Sequence, residues 1–202
     1  MFFNINGLED IALVRKGNTI ITESIQILHV NGNHWITIST LDSVNSNCDV
    51  TIYDSLHFSL SQDTKMLLAT LLKTNKKSLV VKFANTHKQA GSDDCGLFAA
   101  AYCTSLAHGQ NLSAFVYDQF LMRKHLVLCL ETKKMQPFPV IHERRIGTAV
   151  LININVFCYC RSPDDGTPMV RCDGKDCGEW FHISCINSKI EKANKWFCKN
   201  CK

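Results

Sequence analysis

Apolar and polar residues change period several times along the first two thirds of the chain. Short runs rich in β-branched residues at 19–22, 25–30, 34–40 and 50–54 are separated by Asn, Gly and Asp, and predict strands. Asn31-Gly32-Asn33 and the polar stretch 43–47 predict turns of antiparallel hairpins. From 61 to 72 the apolar positions Met66, Leu67, Ala69, Leu71 and Leu72 recur as on one side of a helix, with Ser61 as its opening cap. A strand is expected at 79–83, after a basic turn. Residues 95–107 are small and apolar throughout, which predicts a helix packed inside the fold, and 116–130 predicts another that Pro137 and Pro139 end. The stretch 140–156 shows no helical period and is expected to link a first domain, 1–139, to a second, 157–202. The predicted class is α+β.

The last 46 residues follow a different rule. Cys158, Cys160, Cys172, Cys177, His182, Cys185, Cys198 and Cys201 are spaced C-x-C-x11-C-x4-C-x4-H-x2-C-x12-C-x2-C, which supplies ligands for two tetrahedral zinc ions. So short a segment buries too little apolar surface to fold alone, so bound metal must supply much of its folding free energy. The chain has no run of 18 apolar residues, and its first residues lack the basic start and apolar core of a signal peptide. An intracellular protein without membrane association is expected, in which cysteines at metal spacing are ligands and not disulfides.

Charge narrows the partners. The formal net charge is +4. Residues 157–202 carry eight Lys/Arg and six Asp/Glu, and seven thiolates with two Zn²⁺ bring the metallated segment to −1. A near-neutral module is poor evidence for nucleic acid, so direct nucleic-acid binding is not expected.

One cysteine outside this segment has neighbours of chemical interest. Cys95 opens the apolar helix, where unpaired backbone N–H groups and the helix dipole favour a thiolate. Asp93 and Asp94 oppose that effect unless they point away. A thiolate nucleophile needs a base and an orienting group, and His34 at a strand start and Asp54 at a strand end are available on adjacent strands. The order His34-Trp35, Tyr53-Asp54-Ser55, Gln89 and Asp94-Cys95-Gly96 resembles the ubiquitin-like-protein-specific cysteine proteases, the SUMO- and NEDD8-deconjugating family related to adenoviral proteinase. The resemblance covers roughly 7–139. It implies a mixed sheet with helices in which Cys95 attacks the carbonyl, His34 is general base and then acid, Asp54 fixes the imidazole, and Gln89 donates to the oxyanion. Family members carry an N-terminal helical region ahead of the matching segment that this sequence lacks, so the resemblance implies an incomplete catalytic domain.

The eight-ligand segment, with Trp196 two residues before Cys198, resembles the plant homeodomain finger; its single histidine in fifth place sets it apart from RING domains. By that resemblance Cys158, Cys160, His182 and Cys185 hold one zinc, and Cys172, Cys177, Cys198 and Cys201 the other. By similarity to the methyl-lysine-reading subgroup, Phe157, Met169 and Trp180 wall a cage for a quaternary ammonium, which ring faces attract. The strand at 167–171 accepts a histone-three tail by backbone pairing, and Asp165 or Asp173 meets its basic residues. Two readings follow. One is a nuclear, chromatin-associated deconjugating protease targeted by a histone-reading finger; the other is a binding protein whose first domain is an inactive relic.

Overall fold

The computed structural model describes residues 23–41, 47–186 and 195–202. The strand expected at 19–22 and most of the turn at 43–47 lie outside them. β1 (Ile25–Val30) and β2 (His34–Ser39) form an antiparallel hairpin in which Val30 faces His34. Its turn needs two left-handed residues, Asn31 at φ 54° and Gly32 at φ 78°, which these residue types adopt most readily. β3 (Val50–Tyr53) runs antiparallel to β2, with Ile52 opposite Ile38. α1 (Gln62–Leu72) opens at Ser61, whose hydroxyl accepts from Thr64 N as an N-cap. β4 (Ser78–Phe83) returns parallel to β3, setting Val50 against Val81.

α2 (Cys95–Ala107), β5 (Phe115–Tyr117), α3 (Gln119–Glu131), β6 (Val140–Glu143), β7 (Val150–Asn155), β8 (Met169–Arg171) and β9 (Trp180–His182) follow. The main sheet has strand order β1-β2-β3-β4-β7, and β5–β6 and β8–β9 form two-stranded ribbons. The expected α+β class is what forms. No helix among the described residues is long and apolar enough to cross a membrane.

Two local expectations change. The helix expected from Val116 begins at Gln119, because Phe115–Tyr117 pairs as a strand with β6 and Asp118 caps the helix by accepting from Leu121 N. It ends at Glu131, before the prolines, where Lys133 turns left-handed. The stretch expected as a linker, 140–156, contains β6 and β7. Its period is two: Ile152, Ile154 and Val156 are more buried than the intervening Asn153 and Asn155, a pattern that a search for helical spacing passes over.

The described residues group into two compact units. One gathers those up to Leu60 with Val80–Ile152; the other gathers Ser61–Leu79 with Asn153–Lys202. In the first, α2 lies across β1 and β2, and the Thr37 hydroxyl donates to Ala99 O at 2.8 Å. Its core is aromatic. Phe98, Tyr102 and Tyr117 are fully buried with ring centroids 5.8–6.2 Å apart in edge-to-face arrangements, and Tyr53 and Met122 complete the cluster. The buried hydroxyls are satisfied: Tyr102 donates to His87 O at 2.6 Å, and Tyr117 shares a hydrogen bond with Ser105 Oγ at 2.9 Å. Burial pushes the Tyr117 hydroxyl up to about 12 and Tyr102 higher still.

In the second unit, residues 61–79 join the finger segment through hydrogen bonds and an ion pair. Gln62 Nε2 donates to Asp164 O at 2.5 Å, Val156 N donates to Lys77 O at 3.0 Å, and Lys77 Nζ pairs with Glu179 at 3.2 Å. The helical and strand patterns of 61–79 are as expected from the sequence; their grouping with the finger is not.

Candidate active site and metal centres

The hairpin register puts His34 at the first position of β2, and Asp54 follows the last residue of β3. Both are buried, and His34 Nε2 lies 2.9 Å from Asp54 Oδ1. The same oxygen accepts from the backbone N–H groups of Leu56 at 2.7 Å and His57 at 2.9 Å, so two backbone donors fix the carboxylate in place beside the ring. The Asp54 carbonyl is held in turn by Thr86 Oγ1 at 3.0 Å and Lys88 Nζ at 2.8 Å. Burial pulls Lys88 below the usual lysine range, with Asp54 opposing the shift and Arg144 adding to it.

With Nε2–H given to Asp54, a neutral His34 carries its lone pair on Nδ1. That nitrogen is buried and has no hydrogen-bond partner among the described residues. A buried, unpaired imidazole nitrogen costs free energy in a merely structural histidine and is what a proton acceptor awaiting its donor requires. Trp35, next in β2, packs over the first turn of α2: a Cβ built on Gly96 would lie 3.6 Å from its ring. Cys95 begins that turn and is 6% exposed.

Asp94 does not cap α2. Its carboxylate is drawn to α3, accepting from Gln119 Nε2 at 2.7 Å and from Arg123 Nη2, and Arg123 offsets its charge. Asp93 is exposed and accepts from Ser92 Oγ. The first backbone N–H groups of α2 thus have no side-chain acceptor competing with a Cys95 thiolate. Gln89 is fixed by Ser55 on two counts: its backbone N donates to Ser55 O at 3.1 Å, and its Oε1 accepts from Ser55 Oγ at 2.5 Å. Its amide nitrogen donates to Gly91 O at 3.1 Å, which directs the NH₂ toward the loop before Cys95 and leaves its second N–H for another acceptor. The loop passes Gly91 at φ 76°, a conformation that a β-carbon would strain.

Residues outside the expected set also shape the site. His57 packs edge-on against His34 with ring centroids 5.1 Å apart, while Thr86, Lys88 and Ser55 hold the acid and the amide. Ser55 adjoins the expected aspartate. Thr86 and Lys88 carry no local signal and enter only because β4 runs parallel to β3.

In the finger segment, Cys158, Cys160, His182 and Cys185 converge in one cluster, and Cys172, Cys177, Cys198 and Cys201 in another, with the ligand atoms of each within 4.8 Å of one another. This is the interleaved grouping expected from the sequence. His182 Nδ1 is 3.3 Å from Cys160 Sγ, and Cys177 Sγ is 3.8 Å from Cys198 Sγ. Zinc–thiolate bonds of about 2.3 Å in a tetrahedron put sulfurs about 3.8 Å apart, so the spacing fits zinc.

The thiols also behave as ligands without a shared cation would. Burial raises the Cys158 thiol, but N–H groups of Cys160, His182 and Tyr159 more than offset it, to about 7. Cys172, raised by burial, is likewise brought to about 7 by Cys198 N–H and Gly174 N–H, 3.3 and 3.4 Å from its sulfur. Cys201 is pushed up to about 12, first by Cys198. Like charges this close ionise together only around a cation. Gly174 completes the fit, since a Cβ there would lie 2.6 Å from Cys201 Sγ. The protein carries two zinc sites.

β8 and β9 pair Met169 with His182 and Arg171 with Trp180, so Met169 and Trp180 are diagonal neighbours on one face while Val170 and Phe181 occupy the other. Trp180 is 44% exposed; Phe181 is 3% exposed and packs beneath Trp196. Phe157 is half-buried against the finger core, its N–H donating to Ser162 O. Asp165 accepts from Thr167 N and Oγ1 at 2.9 and 2.6 Å, and Asp173 accepts from Trp196 N at 2.9 Å, so both carboxylates also serve the fold.

Comparison with known proteins agrees with both sites. The PHD-finger family matches residues 158–201. Similar proteins include Protein YNG1 of Saccharomyces cerevisiae, 47% identical over 49 residues, 23% of this chain and 22% of that one. Transcription initiation factor TFIID subunit 3 of Gallus gallus is 44% identical over 48 residues, 22% of this chain and 5% of that one. Set1 complex component spp1 of Schizosaccharomyces pombe is 41% identical over 49 residues, 23% of this chain and 11% of that one. The chain thus spans less than a quarter of these relatives. No solved structure matches it. The Ulp1 protease family, C-terminal catalytic domain, matches residues 25–136, more than half of the sequence and all four residues of the first site. The chain belongs to the Ulp1 protease family and carries a PHD finger after the catalytic domain.

Proposed function

We propose that this protein is a nuclear, chromatin-associated cysteine peptidase that removes ubiquitin-like modifiers such as SUMO or NEDD8, directed by a finger that reads the methylated histone-three tail. The observation that carries the peptidase reading is the buried His34, with Nε2 committed to Asp54 and Nδ1 unpaired. Nδ1 takes the Cys95 proton, and the thiolate so formed attacks the carbonyl carbon of the modifier's last residue. The oxyanion formed is met by the remaining N–H of Gln89 and by backbone N–H at Cys95. His34, now an imidazolium stabilised by Asp54, returns its proton to the leaving lysine amine as the C–N bond breaks. Water then hydrolyses the thioester.

The finger reading rests on the exposed Trp180 beside Met169, with Phe157 as the further wall, and on β8, whose only strand partner among the described residues is β9. The eight clustered residues are the zinc ligands, and zinc supplies the rigid frame that holds this strand open for a peptide. Asp165 and Asp173 add negative charge for a basic tail. Further similar proteins, Chromatin modification-related protein YNG2 of Saccharomyces cerevisiae and Chromatin remodeling protein SHL of Arabidopsis thaliana, agree in name with a nuclear setting.

A SUMO or NEDD8 C-terminal vinyl sulfone should label the protein at Cys95, and Cys95→Ala should abolish the adduct. A folded protein that forms none is a reader without peptidase function. Titration with histone-three tail peptides should show tighter binding of trimethylated than unmodified lysine, and Trp180→Ala should erase the difference. Equal affinities for the two peptides in the unaltered protein would remove the cage.

A further inference from the structure

We propose that Asp165 is the positioning residue of the first zinc site: it accepts the proton-bearing Nε2 of His182 and so fixes which nitrogen, in which orientation, the ring presents to the metal. His182 turns Nδ1 into its cluster, 3.3 Å from Cys160 Sγ. A histidine that binds a metal through Nδ1 is neutral and carries its hydrogen on Nε2. That Nε2 is buried, on a residue 4% exposed, and has no hydrogen-bond partner among the described residues. Asp165 Oδ1 lies 3.7 Å from it, just beyond hydrogen-bond range, a gap closed by a small side-chain movement.

The carboxylate is aimed there by its neighbour. Oδ1 accepts from Thr167 Oγ1 and Thr167 N, and these two bonds hold the carboxylate at the ring edge. An anionic acceptor raises the basicity of the ligating nitrogen and stops the ring from turning, and loss of such partners elsewhere weakens metal binding about 10- to 100-fold. Asp165, five residues from the nearest preceding cysteine ligand in a turn with no ligand spacing, gives no sign of this role in the sequence.

The inference rests on His182 being a ligand, and the test separates the two. The zinc-loaded full-length protein is exposed to a graded metal chelator, with zinc counted by native mass spectrometry and His182 followed by ¹⁵N-detected imidazole spectra. The unaltered protein should hold two ions, with the His182 hydrogen on Nε2; a single ion, or a hydrogen on Nδ1, would dismiss His182 as a ligand. Asp165→Ala should weaken one site about 10- to 100-fold and leave the other unchanged. Asp165→Asn, which keeps an acceptor oxygen but not the charge, should weaken it less. The Cys172-containing site in the same molecule reports whether the finger still folds. Unchanged zinc retention at both sites in both variants would overturn the proposal, including the case in which the variants lose only affinity for a histone-three peptide.

Discussion

The two units solve the same problem, holding reactive side chains still, with opposite materials. The first has an aromatic core of Phe98, Tyr102, Tyr117 and Tyr53, and it positions His34 and Asp54 by hydrogen bonds made in a dry environment. In the finger, three of the five buried core residues among those described are cysteines, Cys158, Cys172 and Cys198, so its centre is built largely of ligand sulfur. A core of that kind has little cohesion without its cation, while the aromatic core needs none. A functional histidine reflects the difference. His34 leaves one nitrogen without a partner among the described residues, whereas His182 turns its inward nitrogen into a cluster of cysteines.

Removing metal should break this symmetry most severely. Structural zinc contributes on the order of 10 kcal/mol or more to such modules, so a strong chelator should collapse the amide dispersion of the finger residues while that of the first unit survives. Added zinc should restore the finger, and a finger that keeps its spectrum without metal would erase the contrast. The converse perturbation is Phe98→Ala, which empties part of the aromatic core. A loss of about 3–5 kcal/mol is expected for the first unit in denaturant unfolding, with two zinc ions still bound.

A smaller effect should appear at high pH. Burial raises Cys103 from 9.0 to about 11 and Tyr117 from 10.0 to about 12, so the folded first unit keeps protons that the unfolded chain releases. Their stabilisation is complete below pH 9 and is lost as pH rises from there through 12, on the order of 2 kcal/mol for each group. Tyr117→Phe should flatten the upper part of that decline in stability measured from pH 8 to 12. Smallest is Ser61→Ala, worth about 1 kcal/mol as a lost helix cap. Because α1 groups with the finger, its loss should move the chelator-sensitive transition and not the unfolding midpoint of the first unit.

Much of this was legible before folding because it is local. The hairpin at Asn31-Gly32-Asn33, the cap at Ser61 and the helix from Cys95 are consequences of residue type within a few positions, and all three form at the expected places. Period-two burial at Ile152, Ile154 and Val156 was equally local but hidden by a search for helical spacing. Phe115–Tyr117 is a different case, since its strand depends on β6, more than 20 residues away, and no local signal separates it from the start of α3.

The amino-acid sequence alone determined the chemistry available: seven cysteines and a histidine at metal spacing, and a histidine, an aspartate, a glutamine and a cysteine in the order of a thiol protease. Side-chain type and spacing are covalent properties, readable without a fold. Tertiary structure alone decided how that chemistry is wired. It gave His34 Nε2 to Asp54 and left Nδ1 unpaired, drew Asp94 away from Cys95 to Gln119 and Arg123, locked Gln89 on Ser55, and set Asp165 beside His182. Each of these partners is 17 to 34 residues distant in sequence, and a polar contact between such groups has no local cause. It exists because burial removes water as the competing partner, and only the packed chain determines which groups remain within reach.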